Sequence, residues 1–440
     1  MPARRRGDRE IAALAIPALG ALVAEPLFLL VDTGLVGHLG TAPLAGLGLA
    51  SAVLGTLIGL LVFLAYATTP AVARRIGLGD LAGALRVGVD GVWFALGIGI
   101  LLGGALAATA PVLVRVFSAS DGVAEQATTY LAVSALGIPA MLGVLAATGV
   151  LRGLQDTRTP LVLASAGFAL NAALNALLIY GAGLGIAGSA LGTVLAQWAM
   201  FAGYAVVVVR AARRHGVALL PHGAGVRGIA GSGAWLLLRT ASLRIALLLA
   251  VGVAATLGGQ ELAAYSIAAT LLNLCAFALD ALAIAAQALV GRELGAGNAA
   301  AARAVLRRCL VLGVAAGVLL GILLLLFSPV LGAVFSTDAG VRALLPAAVI
   351  VLAIAQPIIA VVCVLDGVLI GAGDGRYLAV SGAINLAVFA ALLGILLGLA
   401  PTGITGLVLL QVAYTVGYMA ARSVTLGLRA RGVGWQRLGA

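Results

Sequence analysis

Four carboxylates stand inside long apolar stretches of the sequence, where an acidic side chain is unfavourable. They are Glu25, Asp32, Asp280 and Asp366. A carboxylate in the middle of a membrane costs several kcal/mol unless it is protonated, paired or hydrated. Each of the four is therefore a candidate for carrying a proton or binding a cation. Glu25 and Asp32, which stand seven residues apart, share one face of a helix.

Polar side chains also recur at helical spacing inside the apolar stretches. They are Asn273, Asp280 and Gln287, at seven-residue intervals, and the pairs Asn171 with Asn175 and Thr193 with Gln197, at four-residue intervals. Such spacing places each set on one helix face. Two interpretations remain open: these groups tie helices together by hydrogen bonds, or they serve as ligands of a transported or coupling ion.

Two arginines, Arg239 and Arg244, lie within the seventh apolar stretch. A buried guanidinium needs a compensating charge, so we expect these arginines to offset Asp280 or Asp366. The pairing could be purely structural or could form part of a substrate or ion cluster.

Two prolines, Pro17 and Pro26, lie on the same predicted helix as Asp32. Each proline removes one backbone hydrogen bond and permits a kink. The first helix is thus predicted to contain a conformational hinge next to a buried acid.

No enzyme signature is found in the sequence. His38, His215 and His222 all fall in predicted loops, without the metal pairs or catalytic triads that hydrolysis would need. The sequence has no phosphate-binding loop of the Walker type. We therefore expect neither catalysis nor a bound metal, and no cofactor other than H+ or Na+ as a coupling ion.

The elements that carry these residues follow from composition. Of 440 residues, 63% are hydrophobic and 9% charged, and the mean hydropathy is +1.19. These values indicate an integral membrane protein. At about 20 residues per crossing, the chain holds roughly twelve spans and no sizeable soluble domain. Long continuous apolar runs favour an all-α bundle over a β-barrel.

The net charge of +11 comes from 26 basic residues, all of them arginine. They cluster between apolar runs, as in Arg74-Arg75 and Arg307-Arg308, without the aromatic-studded basic face typical of nucleic-acid binding. The positive-inside rule then predicts that both termini are cytoplasmic, in the inner (cytoplasmic) membrane of the cell. The partners expected are the lipid bilayer and small molecules, and no nucleic acid.

The sequence repeats itself with one constant offset. Gly153, Asp156 and Arg158 recur as Gly371, Asp374 and Arg376, so that every residue number in the second set is higher by 218. Four further motifs repeat with the same offset. Two six-helix halves therefore align without a gap, and because six is even, both halves enter the membrane in the same direction.

The repeat predicts the domain organisation. Residues 1–209 form an N-terminal six-helix lobe, residues 210–229 a cytoplasmic linker, and residues 230–440 a C-terminal six-helix lobe with a short basic tail. The two parallel lobes are related by a pseudo-two-fold axis along the membrane normal. Such bundles commonly enclose a central site and work by alternating access.

Several motifs in order along the chain resemble those of a known family. They are Glu25 to Gly40, Thr68-Thr69, Gly153 to Thr157, Leu279 to Ala281 and Leu365 to Asp374. Together they resemble multidrug and toxic compound extrusion (MATE) transporters, particularly the DinF-like branch. The resemblance implies two six-helix lobes around a cleft and export of organic compounds against a proton or sodium gradient.

The resemblance also implies roles for single residues. Pro17 matches the bending proline of the first helix in the family, and Asp32 matches its coupling carboxylate. Asn171 and Thr193 match polar positions around the cation site of the N-terminal lobe.

Two positions depart from the family pattern. Asn175 stands where many relatives have Asp, so this lobe has one carboxylate fewer, and whether Glu25 substitutes for it is open. Gln287 stands where some DinF-like proteins carry an acid. These differences concern the coupling ion rather than the fold.

The sequence thus predicts a secondary exporter that uses cation antiport to remove amphipathic or cationic organic molecules and acts as a monomer. A flippase for a lipid-linked precursor is the alternative within transport. A membrane scaffold or sensor is the alternative outside it, but such a protein would not need the buried acids.

Overall fold

The computed structural model describes residues 2–116 and 120–439, apart from the side chains of residues 2–6, Glu25 and Leu27. Within this part of the chain every regular element is helical, and twelve helices are long and apolar enough to cross a membrane. The predicted all-α fold with twelve spans is therefore confirmed.

The spanning helices are numbered in chain order. In the first half they are α1 (Pro2–Gly37), α2 (Thr41–Gly77), α3 (Leu81–Val116), α4 (Asp121–Gly153), α5 (Arg158–Gly181) and α6 (Gly185–Arg214). In the second half they are α7 (Gly223–Leu257), α8 (Gly259–Gly295), α9 (Ala299–Phe335), α10 (Ala339–Gly371), α11 (Gly375–Leu399) and α12 (Gly403–Arg431).

The helix bounds repeat with the offset seen in the sequence. Helices α4 and α10 begin at Asp121 and Ala339 and end at Gly153 and Gly371, so both pairs of bounds show that offset. Helices α2 and α8 show it at both ends as well. The predicted two-fold repeat is thus present in the structure as well as in the motifs.

The chain divides into two compact units. One comprises residues 16–233, termed the N lobe, and the other comprises residues 2–15 and 234–439, termed the C lobe. The two division points, after Ala15 and after Gly233, are again separated by the offset of the repeat. The opening turns of α1 therefore belong to the C lobe, and the opening turns of α7 belong to the N lobe.

Ion pairs hold the opening turns of α1 within the C lobe. Arg308 of α9 donates from Nη2 to Asp8 Oδ2 at 2.7 Å, and Arg292 of α8 donates to Glu10 Oε2 at 3.2 Å. All four side chains are partly exposed. These contacts fix the start of the helix that carries Asp32.

Apolar and backbone contacts hold the opening turns of α7 within the N lobe. Ile229 is buried there, next to Gly91 of α3. The backbone N–H of His222 donates to the buried Asp90 Oδ1 of α3 at 2.7 Å. Residues 215–222 connect α6 to α7, since α6 continues to Arg214 and α7 begins at Gly223.

Helices α4 and α10 form the centres of their lobes. In the described chain, 56% and 61% of their most apolar windows are buried, a larger share than in the other spans. Glycine permits close packing at one of these contacts: a Cβ on Gly371 of α10 would lie 2.4 Å from the carbonyl oxygen of Gln287 in α8. Small residues at such positions let helix backbones approach each other.

Candidate functional site

Asp32 of α1 is held in the N lobe by neutral hydrogen-bonding side chains. It is 4% exposed. Its Oδ1 accepts a hydrogen bond from Asn175 Nδ2 of α5 at 2.7 Å and another from Ser189 Oγ of α6 at 2.9 Å. Three helices thus converge on one carboxylate.

The hydrogen bonds continue away from Asp32. Asn175 Nδ2 also donates to Asn171 Oδ1 at 2.9 Å, and Asn171 Nδ2 donates to Thr193 Oγ1 at 3.0 Å. Tyr130 of α4 lies within hydrogen-bonding range of Ser189 and Thr193. Asn171 and Asn175 thus lie on one face of α5, as their four-residue spacing predicts, and Asn175 on that face contacts Asp32.

A glycine makes room for this arrangement. A Cβ on Gly192 of α6 would lie only 2.1 Å from Asn175 Oδ1 and 3.0 Å from the Asn175 backbone nitrogen. Asn175 is fully buried, and its Oδ1 has no hydrogen-bond partner among the described residues. The lobe thus presents an amide oxygen that can accept a further hydrogen bond or a cation, on the residue that hydrogen-bonds Asp32.

The chemistry of this site is that of a single buried negative charge with oxygen ligands around it. The partners that Asp32 has in the described chain are neutral, so the carboxylate must take up a proton or attract a cation to balance its charge. Carboxylate, amide and hydroxyl oxygens suit hard cations such as Na+. Among the described residues, no three His, Cys, Asp or Glu side chains come together as a metal site would require.

Other residues predicted for this site lie on the same helix. Pro17 and Pro26 are inside α1, and Pro17 follows the division between the two lobes by two residues. Their role as hinges stays a prediction. The side chain of Glu25 lies outside the described part of the chain, so its predicted share in cation coupling also stays a prediction.

A second polar cluster lies within the C lobe. Asp366 of α10 is 6% exposed, and its Oδ2 accepts hydrogen bonds from Arg239 Nη2 of α7 and, at 2.7 Å, from Arg422 Nη2 of α12. Both arginine side chains are only 11% exposed. Arg239 thus pairs with Asp366, one of the two acids predicted for it. A second arginine, Arg422, donates to the same carboxylate oxygen.

A π-helical turn adjoins each polar set. Residues Leu177–Gly181 of α5 follow Asn175 closely, and residues Ala413–Tyr418 of α12 precede Arg422. Single π-helical turns inside α-helices are rare and are frequent at functional sites.

Of the remaining residues predicted for the C lobe, one acid lies near the Asp366 cluster and the others do not join it. Asp280 of α8 lies in electrostatic range of Cys363, as do Asp366 and its arginines. Arg244 is exposed, in electrostatic range of Tyr414. On the predicted polar stripe of α8, Asn273 is exposed, whereas Gln287 is buried in the contact with α10.

The repeat gives each of these residues a counterpart in the other half. Asp32, Asn175 and Ser189 correspond to Ala250, Leu393 and Leu407, and Arg239, Asp366 and Arg422 correspond to Ala21, Thr148 and Tyr204. In the N lobe, Thr148 Oγ1 donates to Tyr204 Oη at 3.0 Å. Each charged cluster is therefore specific to its lobe, and the shared fold forms without it.

The sequence-based prediction missed Ser189, Tyr130 and Arg422. Single hydroxyls are common in apolar helices, and the positive-inside rule assigns Arg422 to a cytoplasmic segment. The repeat held a signal for all three, because their counterparts are Leu407, Ala348 and Tyr204. A polar residue whose counterpart is apolar or uncharged is a better candidate than polarity alone.

Comparison with protein families agrees with this architecture. The MatE family model matches residues 17–177 and 238–398, once in each half. Protein DETOXIFICATION 44, chloroplastic, of Arabidopsis thaliana is 33% identical over 387 residues, covering 84% of this chain and 73% of that protein. DNA damage-inducible protein F of Escherichia coli is 29% identical over 306 residues, covering 66% of this chain and 64% of that protein.

Solved structures show the same fold. The bent form of the Vibrio cholerae MATE transporter VcmN has a TM-score of 0.87 at 21% identity, covering 98% of each chain. A MOP superfamily transporter from Pyrococcus furiosus also has a TM-score of 0.87, at 23% identity, covering 97% of this chain and 95% of that one. The resemblance inferred from the motifs is thereby confirmed.

Proposed function

The chain belongs to the MatE family, whose members are transporters, and on that premise we propose that it exports small organic molecules by antiport against a proton or sodium gradient. Transport proceeds by alternating access of the two six-helix lobes. The protein lies in the inner membrane of the cell with both termini cytoplasmic, as the arginine distribution predicts, and acts as a monomer.

Asp32 carries this proposal. It is a buried acid whose described partners are neutral, on a helix that also holds two prolines. When a proton or Na+ binds, the charge of this site changes by one, and the hydrogen bonds from Asn175 and Ser189 must adjust. Because those donors lie on α5 and α6, a change at Asp32 alters how α1 packs against both helices.

Neighbouring oxygens favour a bound cation. Asn175 Oδ1 is buried and lacks a hydrogen-bond partner in the described chain, and it belongs to a side chain already in contact with Asp32. Sodium would take this oxygen as a ligand, whereas a proton would sit on the carboxylate itself. A test of whether Na+ changes transport at constant pH therefore distinguishes sodium coupling from proton coupling.

The substrates we propose are amphipathic organic compounds, and the negative charge of Asp32 favours cationic ones. The names of relatives are consistent with this class: the relative from Thermotoga maritima, 25% identical over 376 residues, is named a probable multidrug resistance protein.

The experiment is transport by the purified full chain in proteoliposomes, with the pH gradient and the sodium gradient imposed separately. Accumulation of a fluorescent cationic amphiphile that follows one gradient, and collapses when that gradient is dissipated, supports the proposal. Liposomes without protein control for passive leak. Equal accumulation with and without either gradient would refute antiport.

A further inference from the structure

Three exposed arginines, termed the basic patch, lie at the end of α6 in the N lobe. They are Arg210, Arg213 and Arg214, and the helix ends at Arg214. Arg213 and Arg214 stand three and four positions after Arg210, so both lie on the same helix face as Arg210. Like charges at this spacing repel each other and destabilise a helix unless a counter-charge is present.

The described part of the chain does not supply that counter-charge. None of the three side chains pairs with a carboxylate there. The sequence from Thr157 to Gln260 contains no acidic residue. The helix macrodipole places about half a negative charge at the end of α6, which balances only a fraction of three positive charges. The patch thus presents an excess of positive charge to its surroundings.

The nearest acids at this end of the N lobe are engaged elsewhere. Asp80, which follows α2, pairs with Arg75 at 3.0 Å. Asp156, which follows α4, accepts a hydrogen bond from the backbone N–H of Thr159 at 3.0 Å. Asp90 of α3 accepts a backbone N–H from the segment that connects α6 to α7. A partner for the basic patch must therefore come from outside these contacts.

Helix contacts place the basic patch at the level of the membrane interface. Val208 and Ala212, on the buried side of the same turns of α6, pack with Val89 of α3. One turn further along α3, the exposed Trp93 donates from its indole N–H to the carbonyl oxygen of Leu219 at 2.8 Å. Exposed tryptophans are enriched at membrane–water interfaces. The patch thus lies beside the headgroup layer of the bilayer.

The corresponding helix end in the C lobe does not carry such a patch. Arg210, Arg213 and Arg214 correspond to Leu428, Arg431 and Gly432 at the end of α12. The other arginine there, Arg429, pairs with Asp374 at 2.6 Å. The positive-inside rule applies to both helix ends alike, so it does not account for three unneutralised arginines at only one of them.

We infer that the basic patch binds the phosphate headgroup of an anionic glycerophospholipid in the adjoining leaflet. Guanidinium groups donate paired hydrogen bonds that match the oxygens of a phosphate. Arginine clusters beside a membrane helix attract anionic lipids, and the acyl chains hold the headgroup at the level of the patch. The lipid supplies the counter-charge and stabilises the end of α6. This inference does not depend on the proposed antiport, because lipid binding is measured without transport.

The test compares an anionic with a zwitterionic lipid that has the same acyl chains. The full chain, purified in a neutral detergent, is titrated with palmitoyl-oleoyl phosphatidylglycerol or with the matching phosphatidylcholine, and the unfolding midpoint is measured. We expect phosphatidylglycerol to raise the midpoint by about 3 to 6 °C relative to phosphatidylcholine, as a ligand in tenfold excess over its Kd does for a unit of this size. Equal stabilisation by sodium phosphate alone would refute the assignment to a lipid.

A pair of variants with the same net charge locates the effect. The patch variant combines Arg210→Gln, Arg213→Gln and Arg214→Gln. Each arginine near an anionic surface strengthens binding about fivefold, so this variant should bind phosphatidylglycerol on the order of 100-fold more weakly. The control variant changes three exposed arginines on three different helices, and combines Arg158→Gln, Arg307→Gln and Arg431→Gln. It should respond to phosphatidylglycerol as the wild type does.

Three results would overturn the inference. The first is a wild-type midpoint that is the same in both lipids, a comparison that does not depend on the folding of either variant. The second is a response of the patch variant equal to that of the wild type. The third is a loss of response in the control variant as large as that in the patch variant, which would show only a general effect of net charge.

Discussion

Removing the carboxylate of Asp366 should strongly destabilise the C lobe. Asp366→Asn keeps the shape of the side chain but leaves Arg239 and Arg422 facing a neutral amide. Both arginines donate to the same oxygen, and the side chains are 9 to 11% exposed. Breaking a buried ion pair by removing one partner costs about 3 to 5 kcal/mol, because the remaining charge stays buried.

The neutral triple variant, with Arg239→Ala, Asp366→Thr and Arg422→Tyr, should recover most of that loss. It removes the two arginines together with the acid and introduces, at the corresponding C-lobe positions, the residue pair that Thr148 and Tyr204 form in the N lobe, where they are hydrogen-bonded. Replacing a whole buried ion cluster by uncharged groups is often neutral or stabilising. We expect its free energy of unfolding to lie within about 1.5 kcal/mol of the parent, which is the usual range for well-tolerated core exchanges.

The assay is thermal unfolding of the full chain in detergent. A loss of about 3 to 5 kcal/mol corresponds to a fall of roughly 6 to 20 °C in the unfolding midpoint of a unit of this size. Asp374→Asn is the control: the side chain of Asp374 is 9% exposed, as that of Asp366 is, but its partner Arg429 is 26% exposed. That variant should lose less stability than Asp366→Asn, because only one arginine is left without its acid and that arginine reaches water.

A midpoint for Asp366→Asn equal to that of Asp374→Asn would show that the buried acid does not hold the two arginines in place. A triple variant less stable than Asp366→Asn would contradict the expected cancellation, because the losses would then add.

Other parts of the chain allow three more tests. Gly192→Ala should lower the unfolding midpoint and impair transport, because the added Cβ would lie 2.1 Å from Asn175 Oδ1. Gly97→Ala is the control: no atom lies within 4 Å of the added Cβ, so the midpoint should stay nearly unchanged or rise slightly. Asp8→Asn should speed hydrogen exchange in the opening turns of α1 with a stability loss below about 1 kcal/mol, since its ion pair is partly exposed; unchanged exchange would contradict the role of that pair. Single cysteines placed in residues 215–222 should react with impermeant reagents only from the cytoplasmic side, and labelling from outside would reverse the topology.

The fold was predictable because membrane helices and repeats leave strong patterns. Apolar runs of spanning length gave the number of helices, and the constant offset between repeated motifs gave the two halves, which the bounds of α4 and α10 then matched. What sequence could not show is that the opening turns of α1 pack with the C lobe. That contact rests on ion pairs such as Asp8 with Arg308, between residues 300 positions apart.

The candidate sites were partly predictable. The contacts of Asp32 with Asn175, and of Asn171 with Thr193, join residues that stand out in the sequence because polar groups are unfavourable in apolar helices. Arg422 was missed because the positive-inside rule explains an arginine near a helix end without a buried partner. Its partner, Asp366, lies on a different helix, so the pairing follows only from the packing of α10 against α12.

The coupling role of Asp32 can be measured by comparing two kinds of transport in proteoliposomes for wild type and Asp32→Asn. Asn can still accept hydrogen bonds from Asn175 and Ser189, so the fold should persist while the charge is lost. We expect Asp32→Asn to retain substrate exchange in the absence of a gradient but no longer to accumulate substrate against one, whereas Asp121→Asn, at the exposed start of α4, should behave as wild type. Gradient-driven accumulation by Asp32→Asn at the parental rate would show that Asp32 does not couple the ion gradient to export.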